Sequence, residues 1–416
     1  MSAASLAPAG LASRTRALPE GTDPLTAFAP GGFAWLHEGA GFVASGVAAR
    51  IPVGTGPDRL ARAAEDVAAL LGAVDVDDPV DLPETGPLAV GALPFLDAQE
   101  GQLVVPAQVV GRTGDGQAWI TEIGPADAAP ARAGVARLEP TSFVVEADGG
   151  RRAWTTAVTA ALERIAAGRL TKVVLARRVA VWGDQPFVLR GVVDRLRQAH
   201  PSCFTFAAPV AASGAFVGAS PELLVRRRGH WVWSRPMAGS AERGGSRAAD
   251  RRLVSELRSS PKELDEHRQV VEDVRARLEA VCREVFVKGP HPVELSSVTH
   301  LTTTVSGRLQ PPAPSALALA GLLHPTPAVG GQPRDAALDA ISELEGFDRG
   351  LYAGPTGWVD RRGDGDWAVA LRCAEVDGRR AVLSAGAGIV AGSDPEAEWA
   401  ETQAKLEPMM RALVRV

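Results

Sequence analysis

AGAGIVAGSDPEAEWAETQAKL, residues 385–406, is the stretch from which the rest of the chain can be read. It opens on Ala385, Gly386, Ala387 and Gly388, a glycine-rich turn where backbone can approach a ligand closely. Ser393, Asp394 and Pro395 then read as a helix start. Trp399, Gln403, Leu406, Met410 and Leu413 recur at three- and four-residue steps and predict a buried stripe. Glu398, Glu401 and Lys405 fall together on the neighbouring face. Taken alone, that face reads as solvated charge with a Glu401–Lys405 pair.

A second helix points elsewhere. Ser260-Pro261-Lys262-Glu263 is a capping-box start with proline at the first helical position. Val270, Val271, Val274, Leu278 and Val281 give its apolar face. The capping box accounts for Glu263, but Glu266 and His267 lie by the core face without such a reason. A carboxylate there needs a partner, a proton or a metal. Carboxylates from two helices meeting over one site would make a hard-oxygen site suited to Mg²⁺.

Those two stretches, SSPKELDEHRQVVEDV and the opening one, are joined by TKVVLAR, GASPELLV and LHPTPAVGG. Together they resemble the chorismate-utilising enzymes, a family that includes anthranilate, aminodeoxychorismate, isochorismate and salicylate synthases. The resemblance spans residues 150–410 and is strongest to the isochorismate synthases. It implies an α+β fold, a single large domain of extended, mostly antiparallel sheets flanked by helices. Residues 1–21 are expected as a flexible tail, 22–145 as the N-terminal part of the fold, and 146–416 as the chorismate-binding core.

The resemblance also assigns roles. Lys172, which alone would read as an exposed strand-edge lysine, becomes the general base that activates water. A lysine base needs its pKa lowered by burial or a neighbouring cation; Arg177 and Arg178 are candidates. Ammonia-using relatives carry glutamine there, so Lys172 favours water as nucleophile. Glu222, otherwise an ordinary loop carboxylate, becomes the acid that protonates the departing C4 hydroxyl. It must be kept protonated by its site. Residues 235–241 read as a loop whose backbone N–H groups, at Gly239 and Ser240, could receive a carboxylate. Ala238 stands where aminodeoxychorismate synthases carry a lysine. His300 matches a substrate-contacting histidine, although Thr299 precedes it instead of tryptophan; a lone strand histidine is otherwise a bonded core residue. Thr326 and Ala328, in His324-Pro325-Thr326-Pro327-Ala328, match the isochorismate-type loop, with Gly330-Gly331 in place of Ser-Gly. Arg372 and Lys405 would neutralise substrate carboxylates, and the backbone at Ala385 and Gly386 would hold one. Glu266 and Glu401 would bind Mg²⁺, with Glu263 and Glu398 close by, directly or through water. Loss of either ligand is expected to cost turnover rather than folding.

The bulk properties agree. The chain has 416 residues, 46% of them apolar, and a net charge of −5. That charge offers nothing to nucleic acid or an anionic membrane. No apolar run could span a bilayer, and the N-terminus lacks a signal's apolar segment. Cys203, Cys282 and Cys373 are too few and too scattered for a disulfide framework. A cytoplasmic monomer without a glutamine amidotransferase subunit is expected, acting on the small molecule chorismate. Its product would serve menaquinone or siderophore synthesis. A salicylate synthase and a non-catalytic chorismate-binding protein are the competing readings. Before residue 145, strands are expected at 41–52, 86–95, 103–111 and 117–123, a helix at 60–71, and loops at 75–87 and 125–133.

Overall fold

The computed structural model describes residues 10–124, 139–147, 149–210, 214–242, 246–295 and 298–414, with backbone only at 240–242 and 247–250. The loop expected at 125–133 falls outside them. Among the described residues two sheets, of thirteen and ten strands, carry the fold. One apolar cluster joins them, as where Phe42 of one meets Trp358 of the other edge-on at 6.0 Å. No helix among the described residues is long and apolar enough to cross a membrane.

The tail expectation fails at Ala12–Leu18, which forms a strand (β1) antiparallel to Ala118–Gly124. Its inward side chains include Ser13 and Thr15, the latter bonded to the Thr121 hydroxyl at 2.9 Å. Polar inward residues hid the alternation. Strands from before residue 145 pair with later ones in both sheets, as at Ala34–Leu36 with Thr205–Ala207 and Leu88–Ala92 with Thr356–Asp360.

Lys172–Gly183 (β2) is a strand, as its β-branched run predicts. Ala215–Ser220 (β3) belongs to the larger sheet and Leu223–Arg228 (β4) to the smaller. The expected loop at 235–241 is mostly a strand, Met237–Glu242 (β5), paired with Val298–Leu309 (β6). Residues 367–376, whose sequence reads as a single strand, form two, Gly365–Val369 (β7) in the smaller sheet and Cys373–Asp377 (β8) in the larger. β3 pairs with β8 and β4 with β7, so the chain changes sheets twice, side by side, at 220–222 and 370–372. Residues 41–52 and 103–111 divide between the sheets in the same way, at Ala40–Ser45 and Ala49–Val53, and at Gly101–Val105 and Gln108–Arg112.

The expected turn at 385–388 is also a strand. Arg380–Val390 (β9) runs through it, pairing Gly386 with Ala176 and Gly388 with Val174. The small residues there make room rather than a bend.

Three helices complete the site's frame. Pro261–Glu279 (α1) starts as predicted, Ser260 Oγ accepting from the Glu263 N–H. Arg334–Leu344 (α2) follows the 324–331 loop. Pro395–Leu413 (α3) is capped by Asp394, whose carboxylate accepts from the N–H groups of Glu396 and Ala397. Its buried stripe is turned from the expected one: Thr402 and Met409 are buried, Gln403 exposed and Met410 half-buried. Arg177 of β2 explains the turn. Its guanidinium lies 3.8 Å from the Trp399 ring centre and donates to Thr402 Oγ1 and Gln403 Oε1.

Candidate active site

Side chains alternate across a strand. In β9 this leaves Ser384, Gly386 and Gly388 along a cavity of about 700 Å³, open mouth included. Val174 of β2, opposite Gly388, lines it too. Lys172, two residues earlier on the same face, is fully buried, not exposed on an edge. Its Nζ donates to Glu266 Oε1 of α1 at 2.8 Å. A Cβ on Gly388 would stand 2.6 Å from that oxygen and 3.1 Å from Lys172 Cε, so glycine makes room for the pair. Glu266 therefore has a partner. The two cations expected beside Lys172 are engaged elsewhere, Arg177 with α3 and Arg178 over the Phe347 ring.

The two sheet changes bring Glu222 and Arg372 to the same cavity. Ser220 Oγ donates to Val369 O and accepts from Glu222 N–H, fixing the first turn. Burial holds the Glu222 carboxyl at about 8, against the smaller opposing pull of Lys172 and a bond from Met237 N–H. A carboxyl there is protonated at neutral pH. Arg372 has φ of 51°, a left-handed conformation that a non-glycine residue adopts only when its surroundings impose it. Its Nη2 donates to His300 Nε2 at 3.1 Å, while the other ring nitrogen donates to Gly239 O at 3.3 Å. Burial holds Arg372 down at about 10, still charged, and its Nη1 is buried with no hydrogen-bond partner among the described residues. That pattern is a receptor awaiting a carboxylate oxygen.

Burial, then Arg372, push His300 down to about 3, and burial pushes His324 to about 3. Both stay neutral in the folded protein, while in the unfolded chain they bind protons below about 6.5. Stability from these two should therefore be intact above that pH and be lost as pH falls towards 3. Thermal melts of His324→Asn should show a shallower acid-side decline than wild type; an unchanged slope would exclude this cause.

On α3, Lys405 bonds Glu401 and donates to Gly386 O at 2.9 Å. Lys262 lies 3.5 Å from Glu398 and 3.8 Å from Glu263. Glu398 is buried, and burial and then the neighbouring Glu401 raise its pKa. Among the described residues no three Asp, Glu, His or Cys side chains converge into a ready metal cage. The donor chemistry still fits Mg²⁺, which takes one or two carboxylates and completes its shell with water and substrate. Glu266 and Glu401 face the cavity; Glu263 and Glu398 do not line it.

The remaining expectations divide. Gly239, Ala328, Ala385 and Lys405 line the cavity. Gly239 has φ of 76° and lies against the Glu263 backbone, where a Cβ would crowd the carbonyl at 3.1 Å. For Ser240 only the backbone is described, opposite His300 in the ladder. Thr326 is buried and does not line the cavity; its carbonyl closes the loop by accepting from Val329 and Gly330 N–H. Val174, Met237, Tyr352 and Leu371 are wall residues the motifs do not reveal. Tyr352 could have drawn notice as the chain's only tyrosine.

The chain is similar to several known proteins. A family model described as chorismate binding enzyme matches residues 126–414. Isochorismate synthase DhbC of Bacillus subtilis is 39% identical over 342 residues, covering 79% of this chain and 81% of that one. The solved structure of DhbC from Bacillus anthracis matches with a TM-score of 0.81 and 34% identity, over 94% of this chain and 98% of that one. MenF, the menaquinone-specific isochorismate synthase from Escherichia coli, matches with a TM-score of 0.80 and 27% identity, over 98% and 95%.

Proposed function

The chain belongs to the chorismate-binding enzyme family, and from that premise we propose that it is an isochorismate synthase, converting chorismate reversibly to isochorismate. One observation carries the reading most: Glu222, a carboxyl protonated at neutral pH, lines the cavity, and the buried Lys172 reaches that cavity's edge through its bond to Glu266, which lines it too.

Arg372 receives a substrate carboxylate on its free Nη1, with His300 holding the guanidinium in place. Lys405 and the β9 backbone near Gly386 hold remaining negative charge. To serve as base Lys172 must first give its ammonium proton to solvent, which frees the lone pair, and the 2.8 Å contact with Glu266 opens in the working enzyme. Lys172 then takes a proton from water as the oxygen bonds to C2. The double bonds shift, and the C4 hydroxyl leaves with the proton of Glu222. One hydroxyl is gained, one is lost, and the ring's oxidation state is unchanged. Glu266 and Glu401 would hold Mg²⁺, with Glu398 and Glu263 behind them; bound there, it would supply positive charge to a substrate carboxylate. Water as nucleophile requires no amidotransferase subunit, and we place the enzyme in the cytoplasm as a single chain. The pathway served is menaquinone or siderophore synthesis.

The test is chorismate plus Mg²⁺, with products separated by chromatography and pyruvate followed by coupled lactate dehydrogenase. Isochorismate with at most a trace of pyruvate is expected. Ala328→Thr adds bulk and a hydroxyl to the wall; a conformer preference can turn on such a change, worth roughly 1–3 kcal/mol. It should slow turnover or raise the pyruvate share. Wild-type pyruvate release as fast as chorismate loss would identify a salicylate synthase instead. No consumption of chorismate would leave a binding protein.

A further inference from the structure

One edge of β2 is paired with Phe143–Ala147 at residues 179–183 and with Gly331–Gln332 at 172–173. Between these, among the described residues, no strand lies along that edge. Two side chains stand in for one. Arg349 Nη2 donates to Val174 O at 2.8 Å, and Glu345 Oε1 accepts from Ala176 N–H at 2.8 Å. The two are themselves joined, Arg349 Nε donating to Glu345 Oε2 at 2.9 Å, with side chains only 2% and 1% exposed. The other arm of the guanidinium, Nη1, donates to Val329 O at 2.7 Å. The Phe95 and Tyr352 ring centres lie 4.4 and 5.9 Å from it.

Neither Arg349 nor Glu345 lines the cavity, yet both carbonyls that Arg349 grips belong to its wall, and Ala176, which Glu345 holds, is two residues along β2 from one of them. Val174 and Val329 both line it; Ala328, the residue at which product choice was argued, is adjacent; and Lys172 is two residues along β2. A planar fork can bind two carbonyls on different elements at once, which a single ammonium cannot do in the same geometry. We propose that the Arg349–Glu345 pair is a positioning device for the reaction: it replaces the missing strand and fixes the spacing of β2 against the 328–329 loop. A buried ion pair is weak evidence for stability in itself; here it also satisfies three backbone groups from two walls.

The inference rests on the isochorismate synthase reading and is tested with purified full-length enzyme, chorismate and Mg²⁺. Arg349→Lys keeps the charge but loses the fork. Assayed well below its melting temperature, it should lose at least about tenfold in kcat while KM moves less than about threefold, as misplacement of reacting groups does. Glu345→Gln keeps the shape and an acceptor for Ala176 N–H, and should lose less. Wild-type kcat and KM in Arg349→Lys, with only a lowered melting temperature, would mean a structural role and overturn the proposal. If Arg349→Lys does not fold, Glu345→Gln decides: undiminished kcat overturns the proposal, a fall in kcat at constant KM supports it. Absence of isochorismate from wild type is a separate failure, that of the reading beneath it.

Discussion

Lys172→Ala and Glu222→Gln should each slow isochorismate formation by about a hundredfold or more, the scale of a lost general base or acid. In the proposed mechanism both groups act in one step, so the double variant should lose less than the product of the two single losses. Glu222 is isosteric with glutamine and its variant should fold normally. Lys172→Ala leaves a cavity and strips Glu266 of its counter-ion; Lys172→Gln fills the space and separates chemistry from folding. The pH profile identifies the acid. Glu222 holds its proton up to about 8, so the forward rate should fall as pH rises through that value. The same group binds a proton when folded that the unfolded chain has released above about 4.5, so its contribution to stability also declines as pH rises across that window. Glu222→Gln should abolish both dependences. Strictly multiplicative losses would show that the two residues serve different steps.

Removing a carboxylate from the site should be as damaging to turnover, but the two proposed Mg²⁺ ligands differ in what else they do. Glu266→Ala and Glu401→Ala should each cost Mg²⁺-dependent turnover at least about a hundredfold, since a metal's charge stabilisation is worth several kcal/mol. The expectation that only turnover suffers applies to Glu401. Its partner Lys405 keeps a bond to Gly386 O. Glu266 is the counter-ion of a buried lysine, and breaking such a pair from one side costs roughly 3–5 kcal/mol. Glu266→Ala should therefore melt well below wild type, and Glu401→Ala near it, both measured in EDTA. Full activity of Glu401→Ala in EDTA would sink the metal assignment.

What the residues disclosed and what they concealed have physical reasons. Helix starts were legible because capping is local: Ser260 and Asp394 bond backbone groups two or three residues away. β2 was legible because its run is continuous. The sheet changes were not. At 370–372 the residues are Ala, Leu and Arg, apolar enough to read as unbroken strand, and only pairing partners reveal the switch. The same blindness merged 41–52 and 103–111. The cavity lies at two such switches, so the resemblance could name Glu222 and Arg372 while local pattern gave no reason for them. Lys172–Glu266 and Arg349–Val174 join residues far apart in sequence, which periodicity does not register. The β9 glycines were noticed but misread, because a small residue can serve a bend or a vacancy, and only packing tells which.

Tyr352 gives the wall of this cavity an unusual practical property. The chain has nine tryptophans but one tyrosine, and that ring lies in the cavity wall, its hydroxyl 3.1 Å from where a Cβ on Gly386 would be. Growth on 3-fluorotyrosine would therefore place a single fluorine in the protein, at the site and nowhere else. Its one ¹⁹F resonance would shift on ligand entry whether or not the ligand reacts. Occupancy could then be followed with catalytically dead variants, in which every turnover assay is silent.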